Sequence, residues 1–172
     1  MTAPVSPEYV VLMARYNAWM NGKVYDASAR LDDVIRKRDL GAFFGSVHGT
    51  LNHLLYGDLA WLGRFRHGAV APMRPDTIFH EDFDALRVAR ERLDADLSAW
   101  AATVTPDWLA RPFRYVSFVD GTERTRPAWI LVAHMFNHQA HHRGQLTTLL
   151  SQLGEDIGVT DLAAMPQDGG PI

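Results

Sequence analysis

The sequence predicts an all-α protein: a four-helix bundle with a small β-hairpin before the last long helix. Three observations carry this. Apolar residues recur at helical spacing along four long stretches, and start or stop residues flank those stretches. The period changes once, in FRYVSFVDGTERTR, where β-branched and aromatic residues surround Asp120-Gly121, a hairpin turn signal. Amphipathic helices must bury their apolar stripes against one another, and four of them do so as a bundle.

Ser6-Pro7 reads as an N-cap followed by proline at the first helical position. From there Tyr9, Leu12, Met13, Tyr16, Trp19 and Met20 recur at helical spacing, so the first helix runs to about Leu31. The charged connector DDVIRKRDLG leads to a second helix over Ala42 to Phe65, stopped by Gly68 and the APMRP segment. A third spans Glu81 to Thr103, with Leu86, Leu93, Leu97 and Trp100 as its stripe and Arg and Asp on the other side. After the hairpin, Pro127 starts a last helix that ends near Gly154. The tail EDIGVTDLAAMPQDGGPI has little periodicity; it is expected to lie along the outside and to fray at its glycine-proline end.

No repeat or linker divides the chain, and 172 residues suffice for a full core, so residues 1–172 read as one domain. A net charge of −3 gives no basis for a nucleic-acid partner or an anionic membrane surface. The absence of cysteine excludes disulfides, thiolate ligands and a cysteine nucleophile, so any metal must be held by nitrogen and oxygen. The YVVLMA run is too short for a signal peptide, and no stretch has the length to span a bilayer. A cytoplasmic protein is expected.

The stretch HMFNHQAHHRGQ places four of the eight histidines within nine residues. At about 100° per residue, His138 and His142 lie about 40° apart and one turn apart, a spacing that lets two imidazoles reach one ion. Leu131 and Leu149 fall between them on the wheel, so both sit in the apolar stripe, whereas His134 and His141 fall toward its edge. Spacing alone leaves metal binding and simple hydrogen bonding equally open. On the second helix, His53 has Ser46, Gly49, Thr50, Gly57 and Ala60 around it, a small set that leaves room for a pocket or permits close helix contact. His48 lies about 140° from His53 and cannot share its face. Three histidines leave an ion with open positions, as catalytic sites require.

The segments YNAWMN, GTLNHLLYGDLAWLGRF, NHQAHHRGQ and LGEDIGVTDL, in this order along nearly the whole chain, resemble the DinB family of the DinB/YfiT-like metalloenzymes. The resemblance implies a four-helix bundle with a divalent metal, zinc or nickel, on one histidine of the second helix and an H-x3-H pair of the last. By motif these are His53, His138 and His142. It also implies a homodimer, and a chemistry that uses a low-molecular-weight thiol as cosubstrate.

A divalent ion lowers the pKa of bound water or of a thiol, which supports hydrolysis or transfer. Gln139 follows His138 where a zincin-type hydrolase would place glutamate, and HED at His80 lacks a second histidine, so that mechanism is absent. Gln145 lies near His138 on the wheel and can orient a ligand or simply pack. Asn52, Asn137 and Arg143 point off the site, Arg143 toward the tail or a dimer contact. Tyr16, Asn17 and Trp19 line the pocket mouth or belong to the core. The alternative to an enzyme is a non-catalytic metal-binding or stress-response protein with a structural ion.

Overall fold

The structure, a computed structural model, describes residues 3–118 and 120–166. Four long helices carry the fold: α1 (Pro7–Ala29), α3 (Val47–His67), α4 (Phe83–Ala101) and α6 (Ala128–Gln152). Two short helices occupy connections, α2 (Asp33–Lys37) and α5 (Pro106–Ala110), and were not expected from the sequence. Both have legible caps. Asp32 accepts from Ile35 N, and Thr105 with Pro106 repeats the Ser6-Pro7 arrangement. Each such cap contributes about 1 kcal/mol, enough to hold one turn of helix where the flanking chain is already anchored. The second long helix starts five residues later than expected, because Gly45 adopts φ 74° and Ser46 caps α3.

The hairpin stands before the last helix as predicted. β1 (Pro112–Val116) pairs antiparallel with β2 (Glu123–Pro127), Pro112 opposite Pro127 and Val116 opposite Glu123. Its turn is wider than the Asp120-Gly121 signal suggests: Ser117 N donates to Thr122 O, and Gly121 takes the left-handed conformation. Phe113 and Tyr115 share one face of β1; Phe113 packs on Phe65, and Tyr115 leans on Trp61.

Around the bundle the order is α1, α4, α3, α6. Asn21–Asp94 and Asp26–Arg87 pair α1 and α4 antiparallel. Trp61–His134 and His53–His138 do the same for α3 and α6. Asp58–Arg90 and Arg66–Asp96 show α3 and α4 running parallel. Parallel neighbours need a connection that returns the length of the bundle, and residues 68–82 make it.

The core is not purely apolar. On α1 the buried residues include Val10, Ala14, Asn17, Met20, Asn21 and Val24, while Tyr9 and Leu12 are exposed. The expected stripe is therefore rotated by about one residue. The reason is a buried polar network crossing all four long helices. Asp58 on α3 forms an ion pair with Arg90 of α4, Oδ2 to Nη1 at 3.0 Å, and accepts from Asn17 Nδ2 of α1 at 3.0 Å. Arg90 also reaches Asp94 at 2.7 Å, which Asn21 meets from α1 at 2.9 Å. Arg143 of α6 donates to Asn17 and lies over the Tyr16 ring. Arg90 and Asp94 are thus inside the α4 stripe rather than opposite it, and Arg143 is a core residue. The tail is held along α1 by other groups: Arg30 to Glu155 and Asp156, and Tyr16 to Thr160 O. The expected fraying concerns residues beyond 166, outside the described residues.

Candidate metal centre

Because α3 and α6 run antiparallel, His53 near the start of α3 faces the middle of α6, which carries His138 and His142. One ligand-capable nitrogen from each of the three lies within 4.8 Å of the others. His53 Nε2 stands 3.2 Å from His138 Nε2. The His142 ring centroid is 4.4 Å from each of the other two. His48 is elsewhere, donating from Nε2 to the His80 carbonyl at 2.8 Å. His134 and His141 are exposed edge residues of α6, as their wheel positions indicate.

The far ring nitrogens fix which atoms face the centre. His53 Nδ1 lies 2.8 Å from Pro75 O, and His142 Nδ1 lies 2.8 Å from Gln145 Oε1. Carbonyl oxygens only accept, so both Nδ1 atoms hold protons and both Nε2 atoms carry lone pairs. This is the orientation in which outer hydrogen bonds prepare imidazoles for a metal. His138 Nδ1 has no hydrogen-bond partner among the described residues, so across the 3.2 Å its Nε2 either donates to the His53 Nε2 lone pair or shares a cation with it. Ligands at the usual zinc–nitrogen distance of about 2.0–2.1 Å, at tetrahedral to octahedral angles, stand roughly 2.9–3.4 Å apart. The three-histidine group can hold a metal ion.

Burial pushes His138 down to about 3, with the neighbouring histidines adding to the effect. Burial likewise brings His53 down to about 4, opposed by the Pro75 carbonyl, and lowers His142. All three are therefore neutral, in ligand form, near pH 7. Free imidazole titrates near 6.5, so below that value the unfolded chain binds more protons than the folded one, and stability rises with pH. The metal-free protein is expected to have this contribution in full above about pH 6.5 and to lose it as the pH falls toward 4 and 3. Urea titrations of EDTA-treated protein between pH 7.5 and 4.5 check this. The fall should be shallower in His138→Gln; an equal fall would remove the histidines as its cause.

The histidines form one end of a cavity of about 500 Å³. Phe44, from the connector before α3, stacks on His53 at 3.7 Å between centroids and meets His142 edge-on. Of the five small residues around His53, Gly57 and Ala60 line the cavity. The others serve local packing: Ser46 caps α3, Thr50 bonds back to it, and Gly49 admits the Phe44 carbonyl where a Cβ would stand 2.1 Å from that oxygen. A Cβ on Gly57 would meet His138 Cε1 and Nδ1 at 3.0 Å and Gln139 Nε2 at 3.2 Å. Gly57→Ala gains about 1 kcal/mol of helix propensity but presses on the His138 ring. It is expected to weaken zinc binding about tenfold or more while leaving the melting temperature within a few degrees, as calorimetric titration and thermal melts would show. Unchanged zinc affinity would mean the ring moves without consequence.

Gln139 is buried and donates to Leu54 O at 2.9 Å, which ties α6 to α3 and leaves it no part as a base. Gln145 attends His142 rather than His138, and also reaches His141 at 3.3 Å. Asn52 bonds the returning connection, accepting from Phe79 N and His80 N, whereas Asn137 is exposed. Tyr16, Asn17 and Trp19 do not line the cavity. Phe44, Pro75 and Arg64, all on the cavity wall, were not singled out from the sequence. Phe44 and Pro75 come from connections, where periodicity gives no signal. Arg64 had one: it falls on the His53 face of α3, eleven residues on.

Comparison with known proteins agrees with this architecture. The model of the DinB family matches residues 1–168. Protein DinB of Bacillus subtilis (strain 168) is 22% identical over 169 residues, covering 90% of this chain and 91% of that protein. The crystal structure of a DinB-like protein from Bacillus cereus superposes with a TM-score of 0.59 at 16% identity, covering 82% of this chain and 90% of that one. At that identity the likeness concerns the fold.

Proposed function

The chain belongs to the DinB family, and from that membership together with its three facing imidazoles we propose that it is a metal-dependent enzyme whose divalent ion, zinc or nickel, is held by His53, His138 and His142. The observation that carries this reading is the pairing of both outer Nδ1 atoms with carbonyl acceptors, which leaves the Nε2 lone pairs converging. Such an ion makes a nucleophile of a thiol or water near neutral pH. The protein's own part is to bind and exclude. Phe44 and Tyr56 shield the His53 ring, and the cavity beside it admits a small molecule. No carboxylate lines that cavity among the described residues. A transfer using a thiol cosubstrate needs no protein base, and fits better than a hydrolysis that does.

The competing reading, a structural ion in a non-catalytic protein, predicts a closed coordination sphere; a cavity opening on the histidines favours the catalytic one. Elemental analysis of tag-free protein should find about one divalent ion per chain. The loaded protein should then accelerate thiol addition to a generic electrophile. No metal after reconstitution with zinc or nickel would overturn the whole reading. A metal without access for an added thiol, read from cobalt(II) spectra, would leave the structural ion. The reading extends to a cytoplasmic homodimer. Exposed Tyr9, Val11 and Leu12 on α1 supply apolar surface for a partner copy, and no helix among the described residues is long and apolar enough to cross a membrane. Light scattering tests the dimer.

A further inference from the structure

Among the described residues four arginines are buried: Arg36, Arg64, Arg90 and Arg143. Three have a carboxylate beside them. Arg36 binds Ser28 O, Leu31 O and Asp33. Arg90 binds Asp58 and Asp94, and Arg143 binds Asn17 with the Asp58 charge nearby. Arg64 is the exception. It is 5% exposed, yet its one hydrogen bond to the described residues runs from Nη2 to Val116 O at 3.1 Å, and it has no carboxylate partner among them.

A guanidinium has five N–H donors in a planar fork, and burying it unpaired is costly. Aromatic faces offset part of the cost: the Arg64 carbon lies 4.7 Å from the Trp61 ring centre and 4.0 Å from that of Phe118. They supply no acceptor. The remaining donors border the same cavity that the three histidines close at its other end. His53, Gly57, Trp61 and Arg64 follow one face of α3, with the first and last backbone positions about 16 Å apart. The wall between is largely aromatic, with Tyr56, Trp61 and Tyr115.

We propose that Arg64 is an anion-binding residue for the substrate, and that the cavity takes an elongated organic carboxylate with its acid group on Arg64, its apolar body along Trp61 and Tyr115, and its reactive end at the three histidines. A single cation in an apolar wall suits a monoanion; a phosphate dianion calls for more donors than this end offers. The placement of the reactive end rests on the metal-centre reading. The Arg64 contact does not.

The test uses 4-phenylbutyrate and octanoate, each against its uncharged amide, titrated by calorimetry into zinc-loaded and EDTA-treated protein. With Arg64 as the anchor, at least one carboxylate binds about tenfold or more tighter than its amide in both preparations. Arg64→Met abolishes that preference, and Arg64→Lys restores part of it; circular dichroism confirms that each variant folds. Equal binding of acid and amide, or no binding of either acid at millimolar concentration, overturns the proposal. So does a preference that survives Arg64→Met but disappears on removing zinc, which would place the carboxylate on the metal and leave the metal centre standing. A preference found in EDTA-treated protein that takes up no metal would uphold Arg64 while the metal reading fails.

Discussion

Asp58→Ala is expected to cost about 3–5 kcal/mol of folding stability, the usual range when one partner of a buried ion pair is removed. Asp58 is fully buried and holds Arg90 and Asn17, with Arg143 contributing its charge. Burial raises the pKa of this carboxyl while the Arg90 guanidinium opposes the rise, so the ionised form exists at the expense of desolvation. Removing it leaves two buried guanidiniums facing Asp94 as their one remaining buried carboxylate. A domain of this size has roughly 5–15 kcal/mol in total, so the variant should melt about 10 °C lower or more. Urea denaturation checks the magnitude. Asp58→Asn keeps an acceptor for Arg90 and should lose less. A loss under about 1 kcal/mol for Asp58→Ala would mean that water enters the core and replaces the carboxylate.

That network is also where sequence reasoning stopped short. Helical periodicity found the four long helices and the hairpin, because an apolar stripe repeats and a wheel detects repetition. It placed the rotation of α1 wrongly, since a wheel weighs apolar residues and gives no weight to Asn17 and Asn21, which are buried against Asp58 and Asp94. Arg90 lies about 40° from Leu86 on its wheel, inside the stripe; Asp94 four residues on is a local partner, but Asp58 on another helix is not visible from the α4 sequence. Arg143 points away from the histidines as expected. Away from the site is not toward solvent, however, because α6 is flanked by both α3 and α1. The histidines were more legible. His138 and His142 are neighbours on one helix, so their relation is local, and small residues around His53 marked a face with room. What completes the site is non-local. Pro75 reaches His53 only because parallel α3 and α4 force a long return past it, and Phe44 arrives from a connector without periodicity.

His53→Ala should lower zinc or nickel affinity by more than about a hundredfold, since even loss of an outer hydrogen bond to a ligand costs about 10–100-fold. His53 is the sole α3 member of the group, so its loss leaves His138 and His142 as a two-ligand pair on one helix. The same change removes the ring on which Phe44 stacks and frees the Pro75 carbonyl. Ion binding stabilises the folded state according to ligand concentration over Kd, so wild-type melting temperature should rise on zinc addition and that of the variant should not. His142→Ala should behave alike, with its helical content retained. His141 meets the Gln145 amide and packs edge-on against the His142 ring but is not one of the three converging histidines, so His141→Ala should stay within about tenfold of wild type. The metal-free melting temperatures separate folding from binding: a His53→Ala variant that melts normally without metal and gains nothing from it has lost a ligand. If His141→Ala loses the ion while His53→Ala keeps it, the centre lies on the outer edge of α6, and the cavity between α3 and α6 is not a metal site.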